Sequence, residues 1–175
     1  MQQLIAELEE AGIGRVSLNE SLAGHTTWKI GGPADLFVVP DTREQLAAAL
    51  RILHRHGVPW TALGRGSNTL VSDKGVRGAV IKPGRGFDFV RFDGRAATAG
   101  ASYSFIKLSV MAGKEGLTGL EFAGGIPGTV GGAVYMNAGA HGSDVSRILQ
   151  SVDIVWEDGT VGTYGKEDMA FGYRH

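Results

Sequence analysis

Three glycine-rich segments are the parts of the sequence whose residue types could bind a phosphorylated ligand. They read T-T-W-K-I-G-G-P-A at residues 26–34, G-R-G-S-N-T-L at residues 64–70 and G-G-I-P-G-T-V-G-G-A at residues 124–133. Successive backbone N–H groups converge on an anion most readily where no Cβ atom intervenes, and a tight turn of such groups forms an anion-binding nest. Glycines that simply form turns are the alternative for each segment taken alone.

The spacing of these glycines excludes two common nucleotide motifs. The segment at 64–70 lacks the third glycine of the dinucleotide fingerprint, and the sequence contains no Gly-Lys-Ser or Gly-Lys-Thr of a P-loop. The Ser67 hydroxyl and the Asn68 amide would still add polar donors to a loop that holds a pyrophosphate. Because a long dinucleotide needs several such loops, the three segments favour a ligand like FAD over a mononucleotide.

The composition indicates a globular chain that acts on small molecules. The 175 residues carry a formal net charge of −1, which gives no field to attract nucleic acid or an anionic membrane. The sequence has no cysteine, which excludes thiol catalysis and cysteine-ligated zinc, and nothing in it indicates a metal site or a protein partner. It also shows no basic, apolar leader and no run of about 18 apolar residues, so we expect a cytoplasmic protein without a membrane span.

The first half of the sequence has the pattern of a β-α-β unit behind an N-terminal helix. Amphipathic spacing predicts a helix over residues 2–11. A strand follows at 35–39, then a helix capped by Asp41 or Thr42, then a strand at 58–63. Such a unit is expected to place its two parallel strands side by side.

The second half is richer in strands. After a strand at 76–81, the run P-G-R-G at 83–86 is the best candidate for a domain boundary. Asp-Gly turns at 93–94 and 158–159 predict two hairpins, and a helix is expected over 104–115. We therefore predict an α+β fold. The predicted divisions are a helix and lead-in at 1–20, a first lobe at 21–82 and a second lobe at 83–175.

Four motifs, in this order along the chain, resemble the UDP-N-acetylenolpyruvoylglucosamine reductase family. They are T-W-K-I-G-G at 27–32, G-R-G-S-N-T-L-V at 64–71, the long stretch from Gly124 to Ala140, and F-G-Y-R at 171–174. The resemblance covers the chain from about Leu22 to its last residue. Four ordered motifs are much more specific than one glycine-rich loop.

The resemblance implies a two-lobed FAD-binding fold of the type found in vanillyl-alcohol oxidase and p-cresol methylhydroxylase, without the substrate domain that follows it in the family. It implies FAD as the cofactor, NADPH as the reductant and a UDP-sugar as the substrate, which is converted to UDP-N-acetylmuramate in peptidoglycan precursor synthesis. The residues implied to bind FAD are Leu63, Gly64, Arg65, Gly66, Ser67, Asn68, Thr69, Leu70, Gly124, Gly125, Ile126, Pro127, Gly128, Val130, Gly131, Gly132, Ala133, Asn137, Ala138 and Gly139.

The resemblance also implies roles for Tyr173 and Arg174. Reduction of an enolpyruvyl group pushes negative charge toward its carboxylate, and the Arg174 guanidinium would hold that charge as the catalytic and substrate-binding residue. Tyr173 would help shape the substrate pocket. An ordinary surface arginine is the alternative for Arg174 outside this motif. His141 stands where the family often has tyrosine, so we expect the contact made by this one side chain to differ from that in the family.

The family's proton donor is a serine in a Phe-Lys-Asn-Pro context, and this sequence has no such context. We therefore assign no proton donor, and we expect the chain to be a fragment that binds FAD without turning over substrate. Two alternatives stay open: another flavin oxidoreductase of the same fold, and a nucleotide-binding module without catalysis.

Overall fold

The computed structural model of the chain describes residues 2–172. Its backbone divides into two compact units. The first extends as far as Gly86 and also includes Val155–Gly162, and the second runs from Phe87 to Ile154 and resumes at Thr163. The division between residues 82 and 83 that the sequence predicts stays a prediction about domain organisation.

The first unit contains two helices and a four-stranded sheet. Their bounds are α1 Gln2–Glu10, β1 Arg15–Ser21, β2 Pro33–Val39, α2 Arg43–Arg55, β3 Trp60–Ala62 and β4 Val76–Ile81. The strand order is β1-β2-β4-β3. The strand β1 is antiparallel to β2, while β4 is parallel to both of its neighbours.

The expectation that the strands flanking α2 pair directly is wrong, because β4 lies between β2 and β3. The reason is burial. Ala79, Val80 and Ile81 of β4 are all at most 2% exposed, as expected for a central strand covered on both faces. The strand β3 has only three residues, and two of them are exposed, which suits an edge.

The strand β1 is not predicted from the sequence. Its residues R-V-S-L-N-E-S hold only two apolar side chains among five polar ones, so the alternation that signals a strand is weak. The strand forms because β2 offers it a full antiparallel edge, from Arg15 opposite Val39 to Ser21 opposite Pro33.

Both faces of this sheet are covered by apolar side chains. Leu36 and Val38 of β2 pack with Leu8 of α1 and with Leu50 and Leu53 of α2. On the other face, Phe37 and Val80 pack with Leu22, Leu63 and Val71. Burying each such side chain contributes about 1.5–3 kcal/mol, so the two clusters fix the sheet from both sides.

The ends of α2 follow local sequence signals. Of the two predicted caps, Thr42 is the one used, because its hydroxyl oxygen accepts a hydrogen bond from the Gln45 N–H at 3.1 Å. After the last turn, Gly57 takes φ 62°, and its N–H donates to the His54 carbonyl at 3.0 Å. The predicted helix is confirmed with its start and its stop.

The elements after residue 86 are mainly short strands. Their bounds are β5 Val90–Asp93, β6 Ala96–Ala99, α3 Phe105–Lys114, α4 Val130–Tyr135, β7 Gly139–Ala140, β8 Ser143–Asp144, β9 Ser151–Val155 and β10 Val161–Gly165. The two predicted Asp-Gly hairpins are confirmed as β5-β6 and β9-β10. The predicted helix is confirmed as α3, capped by the Ser104 hydroxyl, and the α+β class is confirmed.

The core of the second unit forms around α3. Phe105 and Leu108 of this helix pack with Phe122, Ala133 and Val145. The Phe105 and Phe122 rings meet edge to face, with their centroids 6.0 Å apart. The short helix α4, which the sequence analysis treated as loop, is thus anchored through Ala133.

The tip of the β9-β10 hairpin belongs to the first unit and packs on α2. The Arg51 guanidinium donates to the Gly159 carbonyl at 3.1 Å. Gly159 has φ 79°, and a Cβ atom there would lie 2.3 Å from Arg51 Cγ and 2.5 Å from the Ala47 carbonyl oxygen. Only glycine fits this contact.

None of the helices between residues 2 and 172 combines the length and the apolar content needed to cross a bilayer.

Candidate functional site

The loop at 64–70 follows β3 and lies against the chain at His25 and Thr26. It begins at the buried Leu63, whose N–H donates to the Ile81 carbonyl at 2.9 Å. A Cβ atom on Gly66 would lie 2.5 Å from the His25 carbonyl oxygen, and the Gly66 carbonyl accepts a hydrogen bond from the Thr27 N–H at 3.2 Å. The glycine at 66, with φ 66°, is therefore required by this close approach.

The glycines at 31 and 32 serve packing between loops. A Cβ atom on Gly32 would lie 2.1 Å from the Asp73 carbonyl oxygen, and the Gly32 N–H donates to the Ser72 carbonyl at 2.9 Å. A Cβ atom on Gly31, which has φ 137°, would lie 2.8 Å from Val71 Cβ. In this segment close packing and turn formation account for the glycines. The segment at 26–34 thus supports the loop at 64–70.

The loop at 64–70 has the donors that a phosphate group requires. Within the described part of the chain, the backbone N–H groups of Gly64, Arg65, Gly66 and Asn68 donate to no protein acceptor. Free N–H groups in a glycine-rich turn beside an arginine fit a pyrophosphate. Two large apolar side chains on these loops are also exposed, Leu70 by 77% and Trp28 by 70%, which commonly marks a contact surface.

A charged cluster that the sequence analysis missed lies beside this loop. His25 stacks on Phe37, with ring centroids 4.4 Å apart, and its Nε2 atom lies 2.9 Å from Glu20 Oε1. The Lys82 Nζ atom lies 3.3 Å from His25 Nδ1. Burial lowers the pKa of the Lys82 ammonium, and the positive charge of Arg65 lowers that pKa further.

The acidic member of the cluster is held in its charged form. Its hydrogen bond with His25 lowers the pKa of Glu20, and Arg15, whose guanidinium lies 2.7 Å from Glu20 Oε1, lowers that pKa further. One signal could have revealed the cluster from the sequence. Lys82 directly follows the buried strand β4, and ligands of sheets with parallel strands bind at the carboxyl ends of those strands.

In the second unit, the candidate residues 124–133 form a tight turn that leads into α4. Gly124 and Gly125 close a short 3-10 helix over Glu121–Gly125, and space around Gly125 is open. The N–H groups at the start of α4 are occupied. Those of Val130 and Gly131 donate to the Tyr103 and Ala101 carbonyls at 2.9 Å each, and that of Gly132 donates to the Thr129 hydroxyl at 3.2 Å.

These bonds restrict how α4 could bind a ligand. Because the N–H groups of residues 130–132 already have protein acceptors, contacts from these residues to FAD would have to come from other atoms, such as the glycine Cα atoms or the Val130 side chain. The exposed side of α4 offers such surface, since Gly132 is exposed and Tyr135 is 83% exposed.

The Asn137 side chain is buried, and both of its polar atoms have partners inside the second unit. Its Nδ2 atom donates to the Gly172 carbonyl at 2.9 Å, and its Oδ1 atom accepts from the Ser146 N–H at 3.0 Å. Asn137 has φ 41°, which its two hydrogen bonds help to maintain. A contact between Asn137 and FAD would therefore be made in addition to these two hydrogen bonds. Ala138 and Gly139 follow, and Gly139 begins β7.

The candidate catalytic residues Tyr173 and Arg174 lie outside the described residues. The hydrogen bond from Asn137 to Gly172 is the last described contact before them. His141 occupies the tip of the β7-β8 turn with φ 53°, and it is exposed. Residues 2–172 hold no group of three metal-binding side chains.

The sheet with its parallel strands and the free donors of the loop at 64–70 suit a nucleotide phosphate, and comparison with known families gives the class of the protein. The chain matches the family described as "FAD binding domain" over residues 34–165. It therefore belongs to the FAD-binding domain family. The free N–H groups of the loop at 64–70 and the adjacent cations fit the diphosphate of FAD.

Relatives that match almost the whole chain include reductases. It is 53% identical to UDP-N-acetylenolpyruvoylglucosamine reductase of Bacillus licheniformis over 174 residues, which is 99% of this chain and 57% of that protein. The solved structure of the same reductase from Thermus caldophilus superposes with a TM-score of 0.77 at 38% identity, over 91% of this chain and 56% of that one. The chain thus corresponds to the FAD-binding part of these reductases and spans a little over half of their length.

A more distant likeness shows the breadth of the fold. Berberine bridge enzyme from Eschscholzia californica superposes with a TM-score of 0.69 at 10% identity, over 92% of this chain and 37% of that one. This likeness shows the fold alone. The predicted FAD-binding fold is confirmed by the family match and by the superposition on the Thermus caldophilus reductase.

Proposed function

We propose that the chain is the FAD-binding part of an enzyme that reduces UDP-N-acetylglucosamine enolpyruvate to UDP-N-acetylmuramate, with NADPH as the reductant. The observation that carries this proposal is 53% identity to such a reductase over 99% of the chain. The reaction belongs to peptidoglycan precursor synthesis, which places the protein in the cytoplasm.

In this proposal the loop from Leu63 to Leu70 binds the FAD diphosphate. The free N–H groups of Gly64, Arg65 and Gly66 donate to its oxygens, and the Ser67 hydroxyl, the Asn68 amide and Thr69 lie at its side. The segment from Gly124 to Ala133, with Asn137, Ala138 and Gly139, contacts FAD through backbone and Cα surface. Bound FAD supplies the hydride transfer.

The substrate is recognised through its carboxylate. We assign this role to Arg174, because a guanidinium binds a carboxylate with two parallel hydrogen bonds and stabilises the negative charge that develops there. Loss of such a preorganised donor typically lowers the rate by about a hundredfold or more. Tyr173 shapes the pocket around the enolpyruvyl group.

The proton that completes the reduction requires a general acid. The serine that performs this step in the family has no counterpart among these 175 residues. We therefore propose that the 175-residue polypeptide, assayed alone, binds FAD and does not reduce the enolpyruvyl substrate.

A paired substitution at two glycines tests the FAD part of the proposal. Gly66→Ala should weaken FAD binding by about tenfold or more, because its Cβ atom would displace the loop from His25. Gly57→Ala is the matched control, since Gly57 also has positive φ but has nothing within 4 Å of its Cβ position. Isothermal titration of both variants and the parent chain with FAD gives the affinities.

The same preparation tests catalysis. NADPH oxidation that depends on the enolpyruvyl UDP-sugar would contradict the proposed lack of turnover. Failure of the folded parent chain to bind FAD would remove the proposed function itself. If Gly66→Ala and Gly57→Ala weakened FAD binding equally, the loop at 64–70 would have no specific role in binding FAD.

A further inference from the structure

Lys82 and Arg65 form a pair of neighbouring cations in the first unit. Lys82 follows β4, and Arg65 lies in the loop after β3. Because β3 and β4 are parallel neighbours, both side chains leave the sheet at its carboxyl edge. This edge is where sheets with parallel strands bind their ligands.

The position of the Lys82 ammonium is set by His25. Lysine can only donate, so His25 Nδ1, at 3.3 Å from Nζ, accepts the hydrogen bond. The other ring nitrogen then carries the hydrogen and donates to Glu20 Oε1 at 2.9 Å. Stacking on Phe37 holds the ring itself. This arrangement orients Lys82 and leaves its charge uncompensated.

The positive charges of Lys82 and Arg65 are not neutralised by a carboxylate of the described chain, so they can bind an anion from a ligand. The Glu20 carboxylate is already paired with Arg15 at 2.7 Å. Among residues 2–172, neither Lys82 nor Arg65 has a carboxylate within ion-pair distance. Burial of Lys82 and the nearby charge of Arg65 both disfavour the ammonium, as the lowered pKa of Lys82 reflects. A bound anion would stabilise the Lys82 ammonium and offset the unfavourable effects of burial and of the Arg65 charge.

We propose that Lys82 and Arg65 form a phosphate-binding subsite for a nucleotide, with His25 and Glu20 as positioning residues for Lys82. The free N–H groups of Gly64 and Gly66 complete the set of donors. This proposal rests on the proposed function, because the diphosphate of FAD is the first candidate for the phosphate that binds at the subsite. A phosphate of NADPH and the diphosphate of the UDP-sugar are the other two.

Four variants of the 175-residue chain test the subsite. Lys82→Met and Arg65→Met remove one charge each, and Lys82→Arg keeps the charge. Lys114→Met is the matched control, because Lys114 is an exposed lysine at the end of α3. Isothermal titration with FAD, UDP and NADP+ gives the affinity for three phosphate-bearing probes, and riboflavin serves as the probe without phosphate.

The subsite predicts a selective loss. Each methionine variant should bind at least one phosphate-bearing probe about tenfold more weakly, as expected for one charge-assisted contact, and the affected probe identifies the source of the phosphate. Riboflavin binding and the Lys114→Met variant should be unchanged, and Lys82→Arg should stay within about threefold of the parent. A His25→Gln substitution should weaken binding in the parent and have no further effect in Lys82→Met.

A thermal measurement separates binding from a structural role. Without nucleotide, Lys82→Met should unfold at the same temperature as the parent or higher, since it removes a partly buried charge and keeps the apolar stem. Unchanged affinity for all three phosphate-bearing probes in Lys82→Met, or an equal loss for riboflavin, would overturn the subsite. If FAD fails to bind the parent but UDP or NADP+ binds in a Lys82-dependent way, the subsite stands and the proposed FAD function falls.

Discussion

At the residue scale, the cluster around His25 contains a carboxylate with protein partners and a lysine without a carboxylate partner among residues 2–172. Glu20 receives hydrogen bonds from His25 and Arg15, so this carboxylate is satisfied by protein groups. Lys82 is only oriented, through His25 Nδ1. A cluster with one satisfied anion and two uncompensated cations is suited to binding a ligand anion.

The lowered pKa of Glu20 leads to a pH-dependent prediction. A carboxyl group with a lowered folded-state pKa stabilises the fold above its unfolded-state pKa, and this contribution is lost as the pH falls through the folded-state pKa. Glu20→Gln should therefore reduce the free energy of unfolding at neutral pH, by up to about 1 kcal/mol for a pair with solvent access. The difference from the parent should shrink as the pH falls below 4.

Urea unfolding of both proteins at a series of pH values measures this difference. The groups that hydrogen-bond to Glu20, which are Arg15 and His25, are the same in both proteins. A loss of stability that stays constant down to the lowest pH would mean that Glu20 acts through packing.

At the element scale, two hairpins with the same Asp-Gly turn differ in what their tips contact. Gly94 has φ 55° with nothing within 4 Å of a Cβ atom, whereas Gly159 has φ 79° and lies against Arg51 and Ala47 of α2. The turn chemistry is common to both. Only the second tip contributes to packing within the first unit.

This difference predicts that the same substitution lowers the free energy of unfolding by different amounts at the two turns. Gly94→Ala should lower it by about 1 kcal/mol, because the positive φ alone disfavours alanine. Gly159→Ala should cost roughly 2–4 kcal/mol, because the tip must also move away from α2 and lose the hydrogen bond from Arg51. Denaturant unfolding of the two variants and the parent measures both costs. Equal losses would show that the contact between the hairpin tip and α2 contributes no stability.

At the scale of the whole molecule, the residues proposed to bind FAD fall in both compact units. All three tryptophans, Trp28, Trp60 and Trp156, belong to the first unit. Tryptophan fluorescence therefore follows unfolding of that unit, while far-ultraviolet circular dichroism follows the helices and strands of both. Comparison of the two signals therefore shows whether FAD stabilises the first unit alone or both units.

FAD at about a hundred times its dissociation constant should stabilise the parts that it binds by about 2.7 kcal/mol. For a chain of this size the thermal midpoint should rise by roughly 5–10 °C in both signals. A rise in the fluorescence midpoint, with part of the circular dichroism transition remaining at the midpoint of the FAD-free protein, would exclude residues 124–139 from FAD binding. Absence of a rise in either signal, with FAD demonstrably bound, would show that the ligand does not prefer the folded state.

Several elements could be predicted because their signals are local. The helix α2 shows its cap, its apolar spacing and its terminal glycine within about fifteen residues, and the two hairpins show their Asp-Gly turns. The glycine-rich segments and the family resemblance also come from contiguous residues. The FAD-binding class and the α+β fold followed from them.

Tertiary structure decided which distant parts of the chain meet. Apolar spacing shows that β2, β3 and β4 are strands, but strand order depends on which one buries both faces, and that position belongs to β4. Lys82 and His25 are 57 positions apart, so no local pattern joins them. The glycine-rich sequence at 124–133 likewise suggests free N–H groups for a ligand, whereas in the folded chain those of residues 130–132 donate to protein acceptors. Sequence periodicity reports how each element is buried, whereas the neighbours of a side chain are fixed by packing of the whole chain.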